Sequence, residues 1–192
     1  MEVGLYFGSF NPIHTGHLII ANHILNQTSL HKVWFVVSPQ NPFKPSATLL
    51  NEYDRLHLVQ KAIEQDDRLW ASNIEFSLPK PSYTAHTLAY LKEKYPSHQF
   101  TIIMGSDSFQ NLGNWKNAEA IVSNYPIIIY ERPGFEVKND LGAKITVMDA
   151  PLLQISATHI RELVRAGKSI KYLVPPAIEE EILNSGFFKK AK

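Results

Sequence analysis

Two histidines stand three residues apart in the run Gly8-Ser9-Phe10-Asn11-Pro12-Ile13-His14-Thr15-Gly16-His17, directly after the apolar stretch Val3-Gly4-Leu5-Tyr6-Phe7. The stretch reads as a short buried strand, and Leu18 to Leu25 as a helix with Thr15 as its N-cap. A turn between them presents backbone N–H groups, a helix N-terminus and two imidazoles to one point in space, which suits a polyphosphate. Gly16 removes the side chain between the imidazoles and lets a ligand approach the backbone. Zinc is the competing use of two histidines. With no cysteine in the chain, the other ligands would have to come from scattered carboxylates or histidines, so no metal-ligating role is assigned.

Further polar groups stand at strand ends or helix starts. Lys44 lies in Ser38-Pro39-Gln40-Asn41-Pro42-Phe43-Lys44-Pro45, too long for a tight turn and read as an active-site loop in which prolines restrain the cation. Gly105-Ser106-Asp107 follows the strand-like Phe100 to Met104. An acidic side chain after a glycine could accept from ribose hydroxyls, or Ser106 or Asp107 could merely cap a helix. Trp115 could stack on a planar ring or pack in the core. Ser156 and Thr158 offer hydroxyls at a helix start where Arg161 adds a planar fork for phosphate oxygens, against the plainer reading of a Ser-capped helix with a solvated arginine.

The elements that must position these groups alternate. Apolar runs at Val33 to Val37, Phe100 to Met104, Ile127 to Tyr130 and Ile145 to Met148 read as strands covered on both faces. Between them, Asn51 caps a helix carrying Tyr53, Leu56, Val59 and Ile63 on one face, and Thr84 to Tyr95 forms another that stops at Pro96. The pattern predicts an open α/β sheet that binds ligands at the carboxyl ends of its strands. A helix from about Ile155 ending near Gly167, and one opened by Pro175-Pro176 and ending near Gly186, form a small appendage.

Composition narrows the classes. A length of 192 residues fits one domain with a sizeable core. With 19 basic and 18 acidic residues, the chain has no global electrostatic footprint for nucleic acid or an anionic membrane. Met1-Glu2-Val3 lacks the basic start of a signal peptide and no run approaches a membrane span, so the cytoplasm is expected. The Walker loop, the Gly-x-Gly-x-x-Gly fingerprint and the Gly-x-Ser-x-Gly elbow are all missing, which removes the main support for P-loop, dehydrogenase and hydrolase readings.

The first histidine run resembles the nucleotidyltransferase signature of adenylyltransferases, and Ile155-Ser156-Ala157-Thr158-His159-Ile160-Arg161 resembles their second signature. Pro39 to Lys44, Glu75 with Pro81-Ser82-Tyr83-Thr84 and Thr87-Leu88, and Gly105-x-Asp107 with Leu112 and Trp115 are similar to further blocks of bacterial nicotinate mononucleotide adenylyltransferases. The resemblance runs from Tyr6 to Tyr172-Leu173-Val174-Pro175. It implies a Rossmann-like, doubly wound parallel sheet with a small C-terminal helical appendage, one nucleotidyltransferase domain over residues 1–192 with its helical part at about 155–192. It also implies adenylyl transfer from ATP, with Mg²⁺, to nicotinate mononucleotide.

By that resemblance His14, His17, Lys44 and Arg161 act in catalysis. Gly8, Ser9, Phe10, His14, His17, Gly105, Asp107, Ser156, Thr158 and Arg161 bind ATP, while Asn11, Lys44, Thr84 and Trp115 bind the mononucleotide. Partners are small molecules, without nucleic acid or membrane; a homo-oligomer is compatible with it. Where the family commonly has an aspartate in the Ser-Tyr-Thr-x-x-Thr-Leu block this chain has His86, and no acidic role is carried there; Ser9 and Asn11 replace the frequent threonine and aspartate. A phosphopantetheine adenylyltransferase-like enzyme and a non-catalytic nucleotide sensor are the alternatives.

Overall fold

In the computed structural model, residues 1–40, 49–151 and 154–189 are described. Six strands form one parallel sheet: β1 (Glu2–Gly8), β2 (Lys32–Val37), β3 (Leu69–Ser72), β4 (Gln99–Gly105), β5 (Ile127–Tyr130) and β6 (Ile145–Met148), in the order β3-β2-β1-β4-β5-β6. The helices are α1 (Thr15–Gln27), α2 (Glu52–Ile63), α3 (Thr84–Lys94), α4 (Ser106–Gln110), α5 (Ala118–Asn124), α6 (Ala157–Arg165) and α7 (Pro176–Ser185). The fold is the expected Rossmann-like α/β sheet. Its strand order reverses direction between β1 and β4, so the chain leaves these neighbours toward opposite faces and opens a crevice beyond Gly8 and Gly105.

Both faces of the central strands are buried because their apolar residues are continuous rather than alternating. Tyr6, Val33, Phe35, Val37, Ile103, Ile128 and Tyr130 pack on the side of α1 and α2. Val3, Leu5, Trp34, Val36, Ile102, Met104, Ile127 and Ile129 pack on the other side, with Leu88, Leu91 and Ile121 from α3 and α5. Ile160, Val164, Ile178 and Ile182 of the two C-terminal helices join the first of these cores, and Lys61 on α2 pairs with Glu181 on α7 at 2.7 Å.

Several expectations change in detail. The N-cap of α1 is His14 and Thr15 is the first helical residue; the Thr15 hydroxyl donates instead to the carbonyl of Tyr172. Asn51 caps α2 by accepting from the Tyr53 N–H, but Tyr53 itself is 63% exposed while Arg55 is fully buried. β6 is an edge strand with Thr146 and Val147 exposed, not a strand covered on both faces. The edge strand β3 and the short helix α5 carry too little periodicity to be read in advance; Trp70 in β3 points an aromatic ring into solvent.

Candidate active site

The turn after β1 brings the two histidines together. Their rings stack with centroids 3.7 Å apart and planes inclined by 21°, and the His14 N–H donates to His17 Nδ1 at 3.2 Å. Gly16 makes this possible, since a Cβ there would lie 3.1 Å from His14 Nδ1 and 3.2 Å from its Cε1. Phe10 adopts φ +45°, a left-handed conformation that costs a non-glycine residue roughly 1–2 kcal/mol. Burial of its ring against Tyr6, His17 and Phe35 offsets that cost. Gly8 is needed for the same reason: a Cβ would meet the Phe10 ring at 2.8 Å.

The imidazole of His14 is buried, and its Nδ1 has no hydrogen-bond partner among the described residues. Burial, reinforced by the positive charge of Arg132, lowers its pKa from 6.5 to about 4, so the ring is neutral at pH 7. Beneath the histidines the hydroxyls of Tyr6 and Tyr130 share a buried hydrogen bond of 3.1 Å. Burial and the neighbouring Tyr130 push the Tyr6 pKa well above its ordinary range.

At the crevice between β1 and β4 lies a cleft of about 580 Å³. Gly8 and Ser9 line one wall, Tyr83 and Thr84 at the start of α3 a second, and Asp107 and Trp115 a third. Asp107 forms an ion pair with Arg132 at 3.2 Å. α4 is capped by Gly105, not by Ser106 or Asp107; Ser106 instead accepts from the Arg132 N–H at 2.9 Å. A Cβ on Gly105 would collide with Asp107 Oδ1 and lie 2.9 Å from Arg132 Nε, so glycine here leaves room for that ion pair. His86 is exposed on α3 with its ring edge-on to Tyr83.

The start of α6 meets the start of α1. Ser156 caps α6 by accepting from the His159 N–H. The Arg161 fork donates to the carbonyl of Asn11 at 2.8 Å and to the Thr158 hydroxyl at 3.2 Å, while its Nε has no partner among the described residues. Asn11 Oδ1 accepts from the Leu50 N–H. Lys44 lies outside the described residues.

Four residues of the site were not singled out from sequence. Arg55 sends its guanidinium to the carbonyls of Ser9 and Ser38 at 2.7 Å each, Leu50 at 2.9 Å and Pro39 at 3.0 Å. Nothing in the residue type marked it, since an arginine on an amphipathic helix reads as solvated. Arg132 could have been found: it stands two residues beyond the carboxyl end of β5, where ligands of such sheets gather. Lys116, adjoining Trp115, lines the cleft with its ammonium 4.5 Å from the centre of the Tyr83 ring. Glu75, quoted only as part of a motif, proves to be a buried carboxyl in the cleft wall.

Residues 5–163 match the family model described as cytidylyltransferase-like. A Cytophaga hutchinsonii protein named "Probable nicotinate-nucleotide adenylyltransferase" is 50% identical over 194 residues, spanning 98% of either chain. One of the same name from Flavobacterium psychrophilum is 48% identical over 193 residues, 99% of this chain and 100% of its own. The chain belongs to the nicotinate-nucleotide adenylyltransferase family. In fold, this family member is similar to the Plasmodium falciparum nicotinic acid mononucleotide adenylyltransferase solved in complex with NaAD, with a TM-score of 0.83 at 22% identity over 97% of each chain.

Proposed function

We propose that this family member transfers the adenylyl group of ATP to nicotinate mononucleotide, releasing pyrophosphate and forming nicotinate adenine dinucleotide, a step of NAD biosynthesis. The observation that carries the reading is the stacked His14–His17 pair at the head of α1, on the turn whose first residues, Gly8 and Ser9, line a cleft that also includes Thr84 and Trp115. The acceptor's phosphate oxygen is already ionised at neutral pH, so the protein needs neither a covalent nucleophile nor a strong base. Its task is to hold two anions in line and to stabilise charge on the α-phosphoryl group and the leaving pyrophosphate.

His17 and the neutral His14 donate to those oxygens from a helix N-terminus, assisted by Arg161 and Lys44. Gly8, Ser9 and Phe10 shape the backbone around the triphosphate, and Ser156 and Thr158 flank it from α6. Gly105 and Asp107 recognise the nucleotide ribose. Asn11 holds the turn, Thr84 and the neighbouring backbone at the start of α3 face the pyridine carboxylate, and Trp115 stacks on the ring.

Among the described residues no group of three or more His, Asp or Glu side chains could cage a metal. That donor set fits Mg²⁺ brought in on the nucleotide, held by phosphate oxygens and water; when bound it neutralises phosphate charge. No helix of the described residues is long and apolar enough to cross a membrane, and two charged nucleotides as substrates fit a cytoplasmic enzyme.

Pyrophosphate release in ATP and Mg²⁺, with nicotinate mononucleotide, nicotinamide mononucleotide and phosphopantetheine offered separately, tests the reading. Preference for the nicotinate compound is expected; turnover with phosphopantetheine alone, or with none, overturns it. In the same assay His17→Ala lowers kcat roughly a hundredfold or more while leaving mononucleotide affinity nearly unchanged. Near-normal turnover by the folded variant would remove His17 from its role.

A further inference from the structure

Glu75 is only 2% exposed yet lies in the wall of the cleft that holds Trp115. Its carboxyl accepts from Ser82 Oγ at 2.7 Å and from Thr87 Oγ1 at 2.8 Å, and the Ser38 hydroxyl also hydrogen-bonds it. Burial raises its pKa, and the three hydroxyl donors draw it back toward the ionised form. Among the described residues no ion pair involves Glu75. A carboxylate held so deeply by hydroxyls with no cation beside it is an expensive way to tie a loop, because neutral acceptors of the same shape would serve.

A carboxylate can only accept, so each hydroxyl bonded to it must spend its single proton there. Ser38 and Ser82, which line the cleft, are thereby left facing it with oxygen lone pairs. The wall is negative twice over, through the carboxylate and through the hydroxyl dipoles it orients. A pyridine ring whose nitrogen is bonded to ribose carries a formal positive charge, and the face of Trp115 favours a cation as well.

We propose that Glu75 is a specificity-positioning residue: through Ser82 and Ser38 it makes the cleft select a positively charged pyridinium ring over a neutral ring of the same outline. This inference rests on the acceptor assigned under the proposed function. A merely structural Glu75 would treat both rings alike.

The test compares nicotinate mononucleotide with its 1,4-dihydro form, which keeps the carboxylate and ribose phosphate but has lost the ring charge. Steady-state pyrophosphate release gives kcat/KM for each acceptor in the wild type and in Glu75→Gln, which preserves size and an acceptor oxygen. Expected is a loss of about tenfold for the pyridinium acceptor, carried in KM, the size expected of one partly screened charge; the dihydro acceptor should change less than about twofold. Equal losses on both acceptors, or no loss on either, overturn the proposal. Should Glu75→Gln fail to fold, Ser82→Ala carries the same comparison with a smaller, still pyridinium-selective loss. A wild type that releases no pyrophosphate with either acceptor overturns the function itself, an outcome distinct from an active wild type whose variant loses both alike.

Discussion

At the scale of single residues, His14 shows how burial sets a protonation state before any substrate arrives. Its folded pKa of about 4 lies below the ordinary 6.5, so between those values the unfolded chain binds the proton that the folded chain refuses. Stability from this residue is therefore complete above about pH 6.5 and is lost as the pH falls toward 4, by about 2–3 kcal/mol at pH 4.5. Urea unfolding at pH 7 and at pH 4.5 should show a loss of that size in the wild type and a clearly smaller one in His14→Asn. Equal losses in the two proteins would mean that His14 titrates normally. The neutral ring also suits its work, since an unpaired ring nitrogen costs less to bury than an imidazolium.

At the scale of elements, the head of α1 sets function against stability. Glycine near a helix start is conformationally costly, and alanine would favour the helix by up to about 1 kcal/mol. Yet a Cβ at Gly16 would press on the His14 ring from 3.1 Å, tighter than ordinary contact, and push it off His17. Gly16→Ala should thus melt no lower than the wild type while its kcat falls roughly tenfold, the cost of a small misplacement of positioned groups. A stable variant with full activity would show that the ring can yield without consequence. Glycine at position 16 could be read as permissive from the motif; the clash it avoids could not, because it depends on the His14 rotamer.

For the molecule as a whole, Arg55 joins three segments far apart in sequence: the turn after β1, the chain leaving β2, and the approach to α2. Burial lowers its pKa to about 10, so it stays charged at pH 7, with four of its five N–H donors taken by carbonyls. Because C=O and N–H point oppositely across a trans peptide, holding the Ser9 carbonyl also fixes the direction of the Phe10 N–H. Arg55→Met would strand four carbonyls, and a loss of at least about 3 kcal/mol in urea unfolding is expected. Arg55→Lys keeps the charge but not the fork; it should fold, with reduced stability and a raised KM for ATP. An Arg55→Met protein as stable as the wild type would refute the clamp.

What the sequence determined by itself was whatever depends on local spacing. Apolar runs too continuous for a one-sided sheet marked five of the six strands. Asn51 and Ser156 announced their helices, and the glycine-flanked histidines announced a phosphate-binding turn, since these signals act within a few residues. The tertiary structure alone decided which polar groups meet across the sheet. The strand-order reversal at β1 and β4 sets Ser9 opposite Asp107, the Asp107–Arg132 pair forms between the segments that follow the adjacent strands β4 and β5, and Glu75 collects hydroxyls from Ser38, Ser82 and Thr87. Burial of a charge is a property of the surrounding packing and not of its own position in a pattern. For that reason Arg55 and Glu75, polar letters in amphipathic text, became visible only once the core had closed around them.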